Sequence, residues 1–175
     1  LNGLSLPTMP EGLIERMLDR EGITGAKREL LLGRYQERRR QLREMLAQGS
    51  VQEILCLPNP EAVQSGSVKL NLGAEMLEAS VSYTPGEYAE HIAAIRELVN
   101  GEKNYHLTLL PQVPFRELQV FTLKDAVAVL RCQEPYTAFV FKNEILTRSI
   151  FSYCDSLIEQ FAADRYTTMQ ALSNV

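Results

Sequence analysis

Hydrophobic and polar positions follow two periods along this chain, and the change between them divides it. Leu13, Ile14, Met17 and Leu18 recur at helical spacing, and so do Leu31, Tyr35, Leu42 and Met45, with Leu46 alongside. Thr8 and Glu11 form a capping-box pattern ahead of the first run, and Glu21 to Gly25 interrupts it before a longer helix from about Ala26 to Gln48. From Val51 the period shortens. Val51 to Leu57 reads as a strand stopped by Pro58-Asn-Pro60, and Val68 to Leu72 reads as a second, short one. Gly73 to Ala79 suits a single helical turn, and Ser80 to Tyr83 leads into the best-marked element of the chain.

That element is a central helix. Thr84 and Glu87 make a second capping box with Pro85 at the first helical position. Tyr88, Ile92, Ile95 and Val99 give it one apolar face, and Asn100-Gly101 stops it. Tyr105, Leu107 and Leu109 then alternate with His106 and Thr108 as a strand. Leu118–Thr122 and Ala126–Cys132 flank a tight turn as a hairpin, and Thr137–Phe141 is a further strand. Asn143 caps a last helix carrying Leu146, Ile150, Tyr153, Leu157 and Phe161, and Arg165 to Val175 reads as a loose tail. The expected architecture is α/β or α+β: a helical arm and connector over residues 1–50, then an α/β domain over 51–175. That domain holds about five or six strands, one mid-sheet helix and one C-terminal helix.

Composition narrows the class. At 175 residues with 45% hydrophobic and 23% charged positions, the chain resembles an ordinary globular protein. No apolar run approaches the roughly 18 residues that span a bilayer, so a membrane is not expected as a partner; the cytoplasmic location expected of the chain rests on its cysteines. Cys56, Cys132 and Cys154 are odd in number and each lies in an apolar run, which predicts buried free thiols. Charge is uneven. Between Lys27 and Arg43 seven basic residues stand against Glu29 and Glu37, a surplus of five, leaving −9 for the rest of a chain whose total is −4. Arg38, Arg39 and Arg40 read first as a solvated connector face and second as phosphate contacts to DNA.

The chemistry-bearing residues are few. Two histidines and scattered thiols lack metal-ligand spacing, and there is no nucleophile elbow or phosphate-cradling glycine loop. No carboxylates are paired inside an apolar run as raised-pKa acid–base chemistry requires. No catalytic residue, cofactor site or metal site is therefore assigned. His91, beside the buried face of the central helix, reads first as a hydrogen-bonded structural residue and second as a ligand contact. Tyr83, Tyr88, His91, Tyr105 and Tyr153 are the expected lining of a ligand pocket, since tyrosines offer an apolar body with a polar tip.

Tyr83-Thr-Pro-Gly-Glu-Tyr-Ala-Glu-His91, followed by Asn104-Tyr105, resembles the C-terminal region of bacterial helix-turn-helix transcriptional regulators of the xenobiotic-response-element type, chiefly from Firmicutes. Thr84, Pro85, Glu87, Tyr88 and His91 match that pattern, and Lys27 to Arg43 fits the Arg-rich connector. The resemblance implies a non-catalytic domain that senses an unknown small-molecule or protein effector and dimerises. It places DNA binding in an N-terminal domain that this sequence lacks, in keeping with a first residue that is Leu1 and no helix-turn-helix pair before Thr8. A homodimer is expected through the stripe Leu31, Tyr35, Leu42 and Met45, because bacterial operators mirror protein twofold symmetry. Cys132 to Asn143 is similar to the sheet-to-helix passage of phospholipase-D-like domains. That similarity implies the alternative, a degenerate phosphoryl-processing hydrolase. The His-x-Lys such domains need is missing, because Thr108 follows two places after His106 and Ala93 two places after His91.

Overall fold

The computed structural model describes residues 4–71, 80–111, 118–123, 125–131 and 137–174. A 3-10 turn at Leu6–Thr8 precedes α1 (Leu13–Arg20) and α2 (Gly25–Gln48). Then come β1 (Val51–Cys56), the short α3 (Pro60–Gln64), β2 (Lys69–Asn71) and β3 (Ser80–Ser82). The central helix is α4 (Pro85–Gly101), followed by β4 (Tyr105–Leu110), β5 (Leu118–Leu123), β6 (Ala126–Arg131) and β7 (Thr137–Phe141). Helices α5 (Glu144–Gln160) and α6 (Arg165–Ser173) close the chain. The mixed α/β class, with helices first, strands after and a helix at the C-terminus, is the one the pattern predicts. The helical turn expected over 73–79 lies outside the described residues.

Among the described residues the strands divide over three small sheets. β1 and β4 run parallel in the register Val51 with Tyr105 through Cys56 with Leu110, and α4 lies on the crossover between them. β2 and β3 pair antiparallel, and β5, β6 and β7 form an antiparallel meander. The register of its first hairpin closes with Leu123 opposite Ala126. Helices α4 and α6 pack on each other and both on β4, whereas α5 packs chiefly on β5 and β6.

The N-terminal segment belongs to the core. Leu4, Leu6 and Met9 are buried with Leu31 and Tyr35 of α2 and Ile95 of α4. The Tyr35 hydroxyl donates to the Met9 carbonyl at 2.9 Å, so a buried carbonyl outside any helix or strand is satisfied by a side chain. The stripe of α2 is thus occupied within the chain, since Leu31, Tyr35, Leu42 and Leu46 are its buried positions. Met45 is 46% exposed, and Leu46 takes the core place expected of it.

Three local expectations are corrected. Thr8 and Glu11 form no capping box: Thr8 ends the 3-10 turn, and α1 starts at Leu13 behind Gly12, whose φ of 82° puts the N-cap in the left-handed region glycine tolerates. Arg165 to Val175 is helical over most of its length. Asp164 caps α6 by accepting the Thr167 amide at 2.7 Å, and Thr168 and Leu172, one turn apart, are buried. Pro58-Asn-Pro60 stops β1 and also starts a helix, because the Asn59 side chain accepts the Ala62 amide at 2.7 Å and Pro60 stands at the first helical position.

Candidate functional site

The capping box of α4 forms as its residues dictate. The Thr84 amide donates to Glu87 Oε2 at 2.8 Å, and the Glu87 amide donates to Thr84 Oγ1 at 3.2 Å. Glu87 does more than cap. Its carboxylate accepts from Arg20 Nε at 3.1 Å and from the Arg20 terminal nitrogen at 3.0 Å, while Arg16 reaches Glu90 at 2.6 Å. One face of α1 is therefore clasped to the first turns of α4.

Held in that orientation, α4 turns His91 inward. The residue is 0% exposed and both ring nitrogens are hydrogen-bonded. Nε2 lies 2.9 Å from Thr8 Oγ1, and Nδ1 lies 2.8 Å from the Tyr83 hydroxyl. The proton positions follow from the partners. Thr8 has one hydroxyl proton, and it is donated to the Ser5 carbonyl at 2.7 Å, a group that only accepts. Thr8 must then accept from Nε2–H, which leaves Nδ1 to accept from the Tyr83 O–H. The order is Tyr83 to His91 to Thr8 to Ser5, every group satisfied. Burial pushes the imidazole pKa down to about 3, against a smaller opposing effect of the Ser5 carbonyl, so the ring is neutral across the physiological range. Burial likewise raises both Tyr83 and Tyr88, whose rings meet edge to face with centroids 5.7 Å apart. The Tyr88 hydroxyl is buried and has no hydrogen-bond partner among the described residues.

A second polar pair lies on the parallel strands. The Tyr105 hydroxyl donates to Glu53 Oε2 at 2.5 Å. The surface of Glu53 is only partly covered, but its carboxyl lies deep enough that burial raises its pKa, with the Tyr105 hydrogen bond pulling the other way. Beside this pair a cleft of about 230 Å³ opens between the parallel strands and the α5–α6 corner. Gln52, His106 and Thr108 line one wall, and Ala163, Arg165 and Thr168 another. Arg165 also donates to the carbonyls of Asn100 at 3.3 Å and Glu102 at 3.1 Å, placing a cation at the negative end of α4.

Of the five residues expected to line one pocket, the fold brings together Tyr83, Tyr88 and His91 as packed, buried groups. Tyr105 is buried apart from them and touches the cleft. Tyr153 stands on α5, 44% exposed. Thr8, Glu53 and Arg165 were not singled out from sequence as site residues. Glu53 alone had a visible signal, as the one charge inside the apolar run Val51 to Leu57. Among the described residues, no cluster of three His, Cys, Asp or Glu is arranged to hold a metal ion. Among the same residues, Cys56 and Cys154 are free thiols, and no helix is long and apolar enough to cross a membrane. Cys132 lies outside them.

Compared with protein-family models, with curated proteins and with solved structures, the chain matches none.

Proposed function

We propose that this chain is a non-catalytic regulatory module: the effector-sensing and self-associating domain of a cytoplasmic transcriptional regulator whose DNA-binding domain lies outside this sequence. The observation that carries the reading is the His91 link. It joins Thr8 to α4 across 83 positions of chain and builds the N-terminal segment into the α/β core. A ring whose two nitrogens are both engaged, and which stays neutral at physiological pH, has no lone pair for a nucleophile or base. It acts as a strut. A shift of α4 or β3 is transmitted through Tyr83, His91 and Thr8 to the segment that leads into the arm.

The cleft over β4 and α6 offers the effector a place. Its volume falls below the roughly 300–1,000 Å³ of drug-sized pockets, and Val99, Leu107 and Ile158 stand among its lining beside His106 and Arg165, so its occupant is a small molecule with both apolar and polar groups. Its walls are β4 and α6, both of which pack on α4. The arginines of α2 support the connector reading. Arg40 pairs with Glu37 at 2.7 Å and Glu44 at 2.5 Å, and Arg39 pairs with Glu11 at 3.5 Å while lying over the Tyr35 ring. Charges engaged in this way are less available to phosphates.

The test is an anisotropy titration of duplex DNA at physiological salt, with the intact gene product and with this chain alone. Binding by the intact product and none by the chain is expected. An intact product that does not bind DNA overturns the regulator reading. Micromolar binding by this chain alone overturns the placement of DNA recognition outside it, and moves α2 from connector to recognition element.

A further inference from the structure

The β5–β7 meander carries an unusual gradient of exposure. Every residue of the central strand β6 is buried or half-buried. On β7 only Thr137 is half-buried, and Ala138, Phe139, Val140 and Phe141 are all exposed. Phe139 is 53% exposed and Val140 64%. Those two residues point to opposite faces of the sheet, because side chains alternate along a strand. At this edge both faces are therefore short of cover, and the Val140 face is also open at Phe121 of β5, which shares it through Ala128 and is 44% exposed. Helix α5 does not correct it, since it packs chiefly on β5 and β6. Its own first turn adds Ile145, 79% exposed, and Leu146 beside the end of β7.

One kind of occupant pairs the free backbone of an edge strand and flanks its side chains on both faces at once: another strand continuing the sheet. We propose that β7 is the seam of a symmetric dimer, in which a second copy of this chain adds its own β7 antiparallel across a twofold axis. The proposal rests on the self-association in the function proposed above and names its surface. Three features favour a second copy over a different protein. β7 contains no charge and no proline from Thr137 to Phe141, so like strands meet without repulsion. About a twofold axis at Phe139, each Ala138 lies opposite the partner's Val140, small against large at two symmetric places, and the two Phe139 rings meet at the axis. The stacked pair Phe139–Phe141, with centroids 6.2 Å apart, then continues across the seam.

The exposed area suits a weak, reversible dimer. Large side chains bury roughly 150–250 Å² each when fully covered. Phe139, Val140, Phe141, Ile145 and Leu146, each partly exposed, contribute about 100 Å² apiece by that measure. With all five fully covered the total over two protomers reaches at most about 1,000 Å², the lower end of specific interfaces, to which the backbone hydrogen bonds of a continued sheet add.

Light scattering of the 175-residue chain and three variants tests the proposal, with circular dichroism confirming that each variant is folded. The unaltered chain is expected to be a dimer. Val140→Lys should raise the dimer dissociation constant at least about tenfold, since it places a charge in an apolar seam. Ala138→Glu alone should do the same. Together the two should restore the dimer, because each introduced carboxylate would then face an introduced ammonium group of the partner, in this register only. A dimer that neither single change weakens overturns the β7 seam and leaves self-association standing. Singles that dissociate with a double that stays dissociated overturn the register. A monomeric unaltered chain overturns self-association itself, and the edge then belongs to a different protein.

Discussion

The part of the chain packed around α4 and its β5–β7/α5 part solve the burial problem differently. Around α4, apolar residues from the N-terminal segment, α1, α2, β1, β3, β4 and α6 close over one another; Thr8, Tyr35, Tyr83, His91 and Tyr105 inside are hydrogen-bonded, while the Tyr88 hydroxyl and Arg96 Nε are not. From β5 to the end of α5, Val127 and Thr147 are the only buried residues among those described, while Phe121, Phe139, Val140, Phe141 and Ile145 face outward. Both parts are rich in apolar side chains. A stretch that keeps its apolar residues outside is stabilised by what it meets, and a stretch that buries them is stabilised by itself. The first part therefore holds the fold and the second offers a surface.

The sharpest way to break this comparison is to cut the same kind of side chain from each part. Ile95→Ala, at a fully buried position of α4, should cost about 2–5 kcal/mol in urea unfolding. Phe139→Ala, measured on dilute monomer, should change stability by no more than about 0.5 kcal/mol. Equal costs would mean that β7 has a core of its own.

The next effect is a pH dependence confined to the first part. His91 has its pKa lowered to about 3 in the folded protein, against about 6.5 unfolded. Between those values the unfolded chain binds a proton that the folded chain does not. The contribution is therefore complete near pH 7 and is lost as the pH falls from about 6.5 towards 3. Its slope is at most about 1.4 kcal/mol per pH unit, or roughly 3 kcal/mol by pH 4. His91→Leu should be less stable at pH 7 yet flatter below it. Parallel pH curves for the two proteins would remove the histidine from the account.

Smaller still, Tyr83→Phe should cost about 1–3 kcal/mol, because it leaves the buried Nδ1 acceptor unsatisfied. It should leave dimer dissociation unchanged, which ties the loss to the first part. Thr84→Ala removes one cap bond and should cost about 1 kcal/mol, read as a lower melting temperature with any effector response intact. A lost response at unchanged stability would give the cap a place in the site.

Much of the architecture could be read from local pattern. The capping box at Thr84 and Glu87, the face of Tyr88, Ile92, Ile95 and Val99, and the hairpin between Leu123 and Ala126 depend on neighbours a few positions away, and the fold contains all three. Asp164 and Asn59 carry the same kind of cap signal, but they stand in a polar tail and a proline pair that read as interruptions. Thr8 misled for the opposite reason. Its spacing to Glu11 is that of a cap, but its hydroxyl is taken by the Ser5 carbonyl and His91.

For the candidate site the balance shifts. Sequence alone placed His91, Tyr88 and Tyr83 near one another, because one helix and the residues before it do so. It determined that His91 lies by an apolar face and that β7 is an uncharged strand. Only the tertiary structure decided what the ring bonds to, since Thr8 is 83 positions away. It alone paired Glu53 with Tyr105 across a parallel register, and set Arg165 at the end of α4. It alone showed the stripe of α2 filled from within the chain and, among the described residues, β7 at the edge of its sheet with no strand beyond it. Periodicity states that a face is apolar. What covers that face depends on long-range packing, which no local pattern contains.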